Sequence, residues 1–365
     1  MVKRKAGLAL SLVLAAGTLL SACGSSEEEG KSGAGENKEA ANFKVGMVTD
    51  TGGVDDKSFN QSAWEGLTKF GQENNLEEGK GYKYLQSGEA AEYEPNLTKF
   101  SDAGYNLTYG IGFLLEDSVQ KVAEQNKDAH FALVDSLLMD ENFQPVFLDN
   151  VTNITFREEQ GSFLVGVVAA KHTKSNKIGF IGGVDSPLIK KFENGFKAGV
   201  KAVNPEAEVF VQYAENFNAP EKGATIASAM YDKGADIIYH AAGGTGNGVF
   251  TEAKNRKKSG KEVWVIGVDR DQHEEGMPEN VTLTSMVKRV DVAVYDVTKR
   301  TMEGDFPGGK EVVFGLEEDG VGIAPTTENV SEEAVKLVDE WEQKILKGEV
   351  KVPATDEEFA SFSVQ

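Results

Sequence analysis

From Phe43 onward the chain alternates short apolar runs with longer segments that are apolar on one face only. A first set reads FKVGMVTD, SFNQSAWEGLTKFGQ, YKYLQSG, EPNLTKFSDAG, NLTYGIG, EDSVQKVAEQN, HFALVD and PVFLDNVT. A second reads NKIGFIGG, SPLIKKFENGFKAGVKAV, EVFVQYAEN, EKGATIASAMYDKG, DIIYHAAGG, GNGVFTEAKNRKK and VWVIGVD. The short runs are the right length for buried strands. In the longer ones apolar residues recur at helical spacing: Leu188, Phe192, Phe196 and Val200 fall every fourth residue, with lysines and Glu193 between them. Repeated strand and helix predict a mostly parallel sheet covered on both faces, and two sets predict two doubly wound α/β lobes. A helix is expected from Phe156 to Lys171 between the sets. VTLTSMVK and VDVAVYDVTKRTME follow the second set. The chain should therefore cross between lobes more than once.

The residues before Phe43 follow a different pattern. Lys3, Arg4 and Lys5 precede an apolar run from Ala6 to Leu20, short for a bilayer span and built like an export signal. The run ends in Leu20-Ser21-Ala22-Cys23, which resembles a bacterial lipobox. That resemblance implies removal of residues 1–22 and diacylation of the Cys23 thiol. No other cysteine occurs, so an internal disulfide framework is excluded. Gly24 to Asn42 carry no large apolar side chain, so residues 23–42 are expected to form a lipidated flexible tether reaching roughly 25 Å.

A length of 365 residues also favours two domains, and 40% hydrophobic with 27% charged residues suits globular lobes. Against 38 Lys and Arg stand 59 Asp and Glu, a net charge of -21. Such a surface repels a phosphate backbone, which removes nucleic-acid polymer from the candidate partners. It also argues against a basic face on anionic lipid, while leaving a covalent lipid anchor open. Gly-x-Ser-x-Gly, His-Glu-x-x-His, Cys-x-x-Cys and EF-hand patterns are all missing, and the four histidines lie far apart. The chain reads as a binder rather than an enzyme, with neither metal nor cofactor expected. Gly304 to Lys310 imitates a phosphate-binding loop, but Glu311 stands where Ser or Thr is needed, so the segment reads as a turn.

In doubly wound domains ligands bind beyond the carboxyl ends of the strands. Asp50, Asp135 and Asp269 stand at three such ends, where a carboxylate can accept hydrogen bonds from hydroxyls or cap the next helix. Gly243, Gly244, Gly246 and Gly248 form a turn between strand and helix that suits close backbone approach. Phe59 and Phe217 could stack on a flat ring, although Phe59 also continues a core stripe with Ala63, Leu67 and Phe70. Lys288 has three readings: a partner for Asp269, a ligand contact, or a plain surface lysine.

Together, the lipobox, VGMVTDTGGVDDKSFNQSAWEG, HAAGGTGNGVF, VIGVDRDQ and TSMVKRVD resemble the basic membrane protein family of purine-nucleoside receptor lipoproteins, especially the guanosine-binding components of nucleoside ABC importers. The resemblance implies a type I periplasmic-binding-protein fold with a ligand cleft and several hinge crossings. Its lobes would comprise 43–151 plus about 285–313, and 152–284 plus about 314–365. It implies that Phe59 and Phe217 flank a purine, that Asp50, Asp56 and Asn60 face the base, and that Asp135, Gly244, Asp269 and Lys288 hold the ribose. The function implied is non-enzymatic capture of guanosine, inosine or adenosine for a permease and its ATPase. The receptor would be a monomer anchored by lipid at the outer face of the cell membrane. Two rivals stand beside it: a sugar receptor of the same fold, and an extracellular nucleoside hydrolase recruiting Asp50, Asp55 and Asp56.

Overall fold

The computed structural model describes residues 42–363. Cys23, the export signal and the tether up to Ala41 lie outside the described residues. The first repeat set forms β1 (Val45–Thr49), α1 (Phe59–Glu73), β2 (Tyr82–Gln86), α2 (Tyr93–Asp102), β3 (Leu107–Ile111), α3 (Glu116–Gln125) and β4 (His130–Val134). A small hairpin, β5 (Leu138–Met139) and β6 (Pro145–Val146), then leads to β7 (Val151–Phe156). The second set forms α4 (Glu158–His172), β8 (Lys177–Gly182), α5 (Pro187–Val203), β9 (Glu208–Tyr213), α6 (Pro220–Asp232), β10 (Ile237–Ala241), α7 (Gly246–Lys258), β11 (Trp264–Asp269) and β12 (Thr282–Lys288). α8 (Val290–Met302) and β13 (Lys310–Phe314) return to the first lobe. β14 (Val321–Ile323), α9 (Glu332–Leu346) and α10 (Asp356–Ser361) complete the second.

Two six-stranded sheets result, ordered β13-β7-β4-β3-β1-β2 and β14-β12-β11-β10-β8-β9. All named pairs are parallel except the hairpin and β12 with β14. The central strands are buried on both faces, and successive residues serve opposite layers. Val45 and Met47 pack with Ala63, Leu67 and Phe70 of α1 and Val294 and Val297 of α8, while Val48 packs with Leu97 and Phe100 of α2 and Val119 of α3. In the second lobe Phe180 and Tyr239 share a core with α4 and α5, and Ile181 and Ile238 share one with α6 and α7. Ser186 caps α5 through its Oγ, which accepts from the Ile189 N–H at 3.3 Å, and Pro187 opens the helix where no N–H is needed.

In both sheets the strand order reverses between the first strand and the third, at β1/β3 and β8/β10. These are the places where an open parallel sheet leaves a crevice. Three chain crossings join the lobes, after β7, β12 and β13. They run side by side: the Arg157 N–H donates to the Phe314 carbonyl and the Arg289 N–H to the Gly320 carbonyl, each at 2.9 Å.

Some boundaries differ from the sequence reading. Phe156 ends β7, opposite Phe314 of β13, and the helix begins two residues later because Arg157 has a non-helical backbone. β7 lies in the first sheet and β12 in the second, so the crossings fall a few residues beyond 151 and 285. A short apolar run shows that it is a strand but not which sheet it joins.

Candidate functional site

The two switch points face each other and enclose a cavity lined from both lobes. The first lobe contributes Asp50 and Gly52 beyond β1, Asp56, Phe59 and Asn60 at the start of α1, Gly112 to Leu114 beyond β3, and Asp135 beyond β4. From the second come Leu188, Ile189 and Phe192 of α5, Phe217, the turn Ala241 to Gly243, Val268, Asp269 and Lys288. Eight of the nine ligand-site residues expected from sequence therefore meet in one cavity. The ninth, Gly244, lies just outside its lining, and Gly243 takes that place with a φ of +53°.

The remaining glycines of this turn serve packing. A Cβ on Gly246 would strike the His240 ring, and one on Gly248 would strike the Pro220 carbonyl. These two glycines let α7 start close against its neighbours, which spacing alone does not distinguish from ligand approach.

At one end of the cavity, Asp50 Oδ1 accepts from the Gly52 N–H and from Asn60 Nδ2, both at 2.8 Å. Burial is the larger influence on Asp50 and raises its pKa, with these bonds pulling the other way. Asp56 performs the capping that its residue type allows. Its carboxylate accepts from the backbone N–H groups of Ser58 at 2.9 Å, Asn60 at 2.9 Å and Gln61 at 3.1 Å, the orphan donors of α1. Burial nevertheless raises it to about 6. Asn60 Oδ1 is buried without a partner, an acceptor free for a ligand N–H.

At the other end lies a buried charge cluster. Asp135 and Asp269 stand at the ends of β4 and β11, the fourth strands of their sheets, with φ of +66° and +65°. This left-handed conformation is one that Asp tolerates better than most residues. The Lys288 ammonium donates to Asp135 Oδ2 and lies 3.6 Å from Asp269 Oδ1. Burial on its own would lower the lysine, but Asp135, Asp269 and Glu158 outweigh it and the pKa is raised. Burial raises Asp135 to about 7 against the pull of Lys288. Asp135 Oδ1 has no hydrogen-bond partner, so one buried carboxylate oxygen remains open to a donor.

Between these ends stand the aromatic side chains. Phe59 comes from the first lobe, its ring centroid 4.6 Å from Lys288 Nζ. Phe217 comes from the second and packs over Gly183, where a Cβ would collide with the ring. Its edge meets Phe113 at 6.1 Å and 78°. Along the Phe59 stripe, Ala63, Leu67 and Phe70 are core while Phe59 lines the cavity.

Sequence reasoning missed Gly112 to Leu114, Ile189 and Ser58. The Ser58 hydroxyl donates to Asp269 Oδ2 across the cleft, a contact hidden inside the Asp-Lys-Ser-Phe-Asn-Gln segment. Leu188 and Phe192 carried only a core signal. Asp55 is exposed and lies on a surface groove apart from the cavity, so Asp50, Asp55 and Asp56 do not form a cluster. Among the described residues no group of three or more His, Cys, Asp and Glu could hold a metal ion.

The fold and cavity define a two-lobed ligand receptor. The model of the family described as ABC transporter substrate-binding protein PnrA-like matches residues 43–356, and the chain belongs to that family. It is 52% identical over 97% of its length to the CD4+ T-cell-stimulating antigen of Listeria innocua, covering 99% of that protein. It is also 41% identical, over 97% of its length, to the ABC transporter nucleoside-binding protein BmpA of Lactococcus lactis, covering all of it. A crystal structure of an ABC transporter solute-binding protein from Aeropyrum pernix superposes with a TM-score of 0.75 at 28% identity, over 87% of this chain and 96% of that one. The fold is the two-lobed type I periplasmic-binding-protein fold.

Proposed function

We propose that the chain is a lipid-anchored receptor at the extracytoplasmic face of the cell membrane. It captures purine nucleosides, guanosine, inosine and adenosine among them, and delivers them as a monomer to an ABC permease with its ATPase. The observation that carries this reading is a single cavity lined by aromatic rings from both lobes, Phe59 and Phe113 of the first and Phe192 and Phe217 of the second, with hydrogen-bonding groups at both ends. Phe59 and Phe217 offer faces to a flat base, and Asp50 and Asn60 offer acceptors to its N–H edge. Asp135, Asp269 and Lys288 suit sugar hydroxyls, while the carboxylates disfavour a phosphate. The L. lactis relative named as nucleoside-binding supports the same ligand class. We read the role as binding without turnover, in keeping with a family described as substrate-binding proteins of ABC transporters.

Calorimetric titration tests the reading, using the chain from Gly24 onward, freed of ligand by unfolding and refolding. Guanosine, inosine and adenosine should bind one to one at micromolar or tighter affinity, with ribose silent. Silence toward every nucleoside from refolded protein overturns the ligand assignment. Release of hypoxanthine from inosine beyond one equivalent would instead reveal a hydrolase. For the anchor, Cys23→Ala should move the protein from the membrane fraction to the medium.

A further inference from the structure

The loop that carries Asp50 and Asp56 is gripped from the other lobe by side chains that do not line the cavity. Asn218 Nδ2 donates to the Thr51 carbonyl at 2.9 Å, Asn247 Nδ2 to the Asp56 carbonyl at 3.2 Å, and Gln272 Nε2 to the Lys57 carbonyl at 2.8 Å. All three donors are carboxamides of the second lobe, and all three acceptors are main-chain carbonyls of the first. The bonds therefore depend on the path of the 51–57 loop and not on its side chains. None of the three donors lines the cavity.

Gln272 is held in the orientation this contact needs. Its Oε1 accepts from the Val268 N–H at 2.8 Å and lies 3.1 Å from His240 Nε2, leaving Nε2 as the end that faces Lys57. His240 is fully buried, and burial lowers its pKa to about 4, so the ring is neutral and donates from Nε2. A histidine with no place in the ligand cavity thereby has a task, which is to aim Gln272 across the cleft.

We propose that Asn218, Asn247 and Gln272 form a latch that favours the closed arrangement whether or not a ligand is present, acting as positioning residues that set how long a captured ligand is retained. A ligand binding a receptor already biased toward closure loses less affinity to the closing step. The proposal concerns the cleft of the function proposed above, but its first readout does not depend on which ligand binds.

The test uses Asn218→Ala with Asn247→Ala in one chain and Gln272→Ala in another. Both are made in the chain from Gly24 onward, which retains every described residue. Small-angle scattering without ligand should show a larger radius of gyration for the paired variant than for the parent. Guanosine should leave the paired variant about tenfold faster, equivalent to about 1.4 kcal/mol, with its association rate and the melting temperature little changed. Identical ligand-free scattering in parent and paired variant overturns the latch. If Gln272→Ala does not fold, the paired variant decides alone. If guanosine fails to bind the parent, the ligand reading falls and scattering still decides the latch.

Discussion

Lys288 is the residue on which the electrostatics of the charged end of the cavity depend. It is buried, it joins Asp135 and Asp269, and its ammonium lies within reach of the faces of Phe59, Phe156 and Phe192. Lys288→Met would leave two buried carboxylates without their cation, a change that costs about 3–5 kcal/mol in comparable sites. A fall in the denaturant midpoint at unchanged slope would register it. Asp135 gives a pH signature. Burial raises it to about 7, above the 3.8 of the unfolded chain, so the folded state holds this proton more tightly between those values. Its contribution to stability is therefore greatest at low pH and is lost as pH rises through about 7. Melting temperatures at pH 5, 6 and 7 should show a shallower decline in Asp135→Asn than in the parent, and equal slopes would refute that assignment. Strand-end aspartates were legible in sequence because a carboxylate after an apolar run stands out. Their left-handed backbone and their common lysine were not, since Lys288 is distant from Asp135 in the chain.

The helices approach one another where glycine permits. In α4 and α5 a Cβ on Gly199 would strike the Phe163 carbonyl, and one on Gly166 would lie 2.4 Å from the Phe196 carbonyl. Gly199→Ala should destabilise the protein by about 1–3 kcal/mol through this crowding, measured by urea denaturation. The same cause explains what the patterning concealed. Periodicity reveals the apolar faces of α1 and α5, but it gives Leu188 and Phe192 the same signal as Phe196, and only the packed helix shows its first turn opening into the cavity. Across the turn into α7 and its first residues, four closely spaced glycines read as one motif. One lines the cavity, one stands behind it and two make room for neighbouring groups.

Across the whole molecule, neither lobe is continuous in sequence. α1 buries Ala63, Leu67 and Phe70 beside Val294 and Val297 of α8, which the chain supplies only after completing most of the second lobe. A fragment of residues 43–156 should therefore remain unfolded by circular dichroism, whereas the same fragment joined to residues 290–314 by a short linker should fold. The repeated alternation made the two-lobe architecture legible. It could not assign β7, β12 and β13 to their sheets, because that choice depends on pairings between distant segments. Closure is likewise a property of the whole chain. If the two rings grip the base together, Phe59→Ala and Phe217→Ala should each weaken purine-nucleoside binding about tenfold or more in calorimetry, in line with about 1–3 kcal/mol for stacking on one base.

The three crossings are hydrogen-bonded to one another along a single line, through Arg157 to Phe314 and Arg289 to Gly320. Such a seam favours a swing of the lobes about its line over twisting or sliding, which would break both bonds. The breadth of the opening and the accessibility of its interior thus become one variable. A pair of fluorophores on opposite rims should relax with a single exponential after a ligand jump, and the same rate should govern entry of a quencher into the cleft.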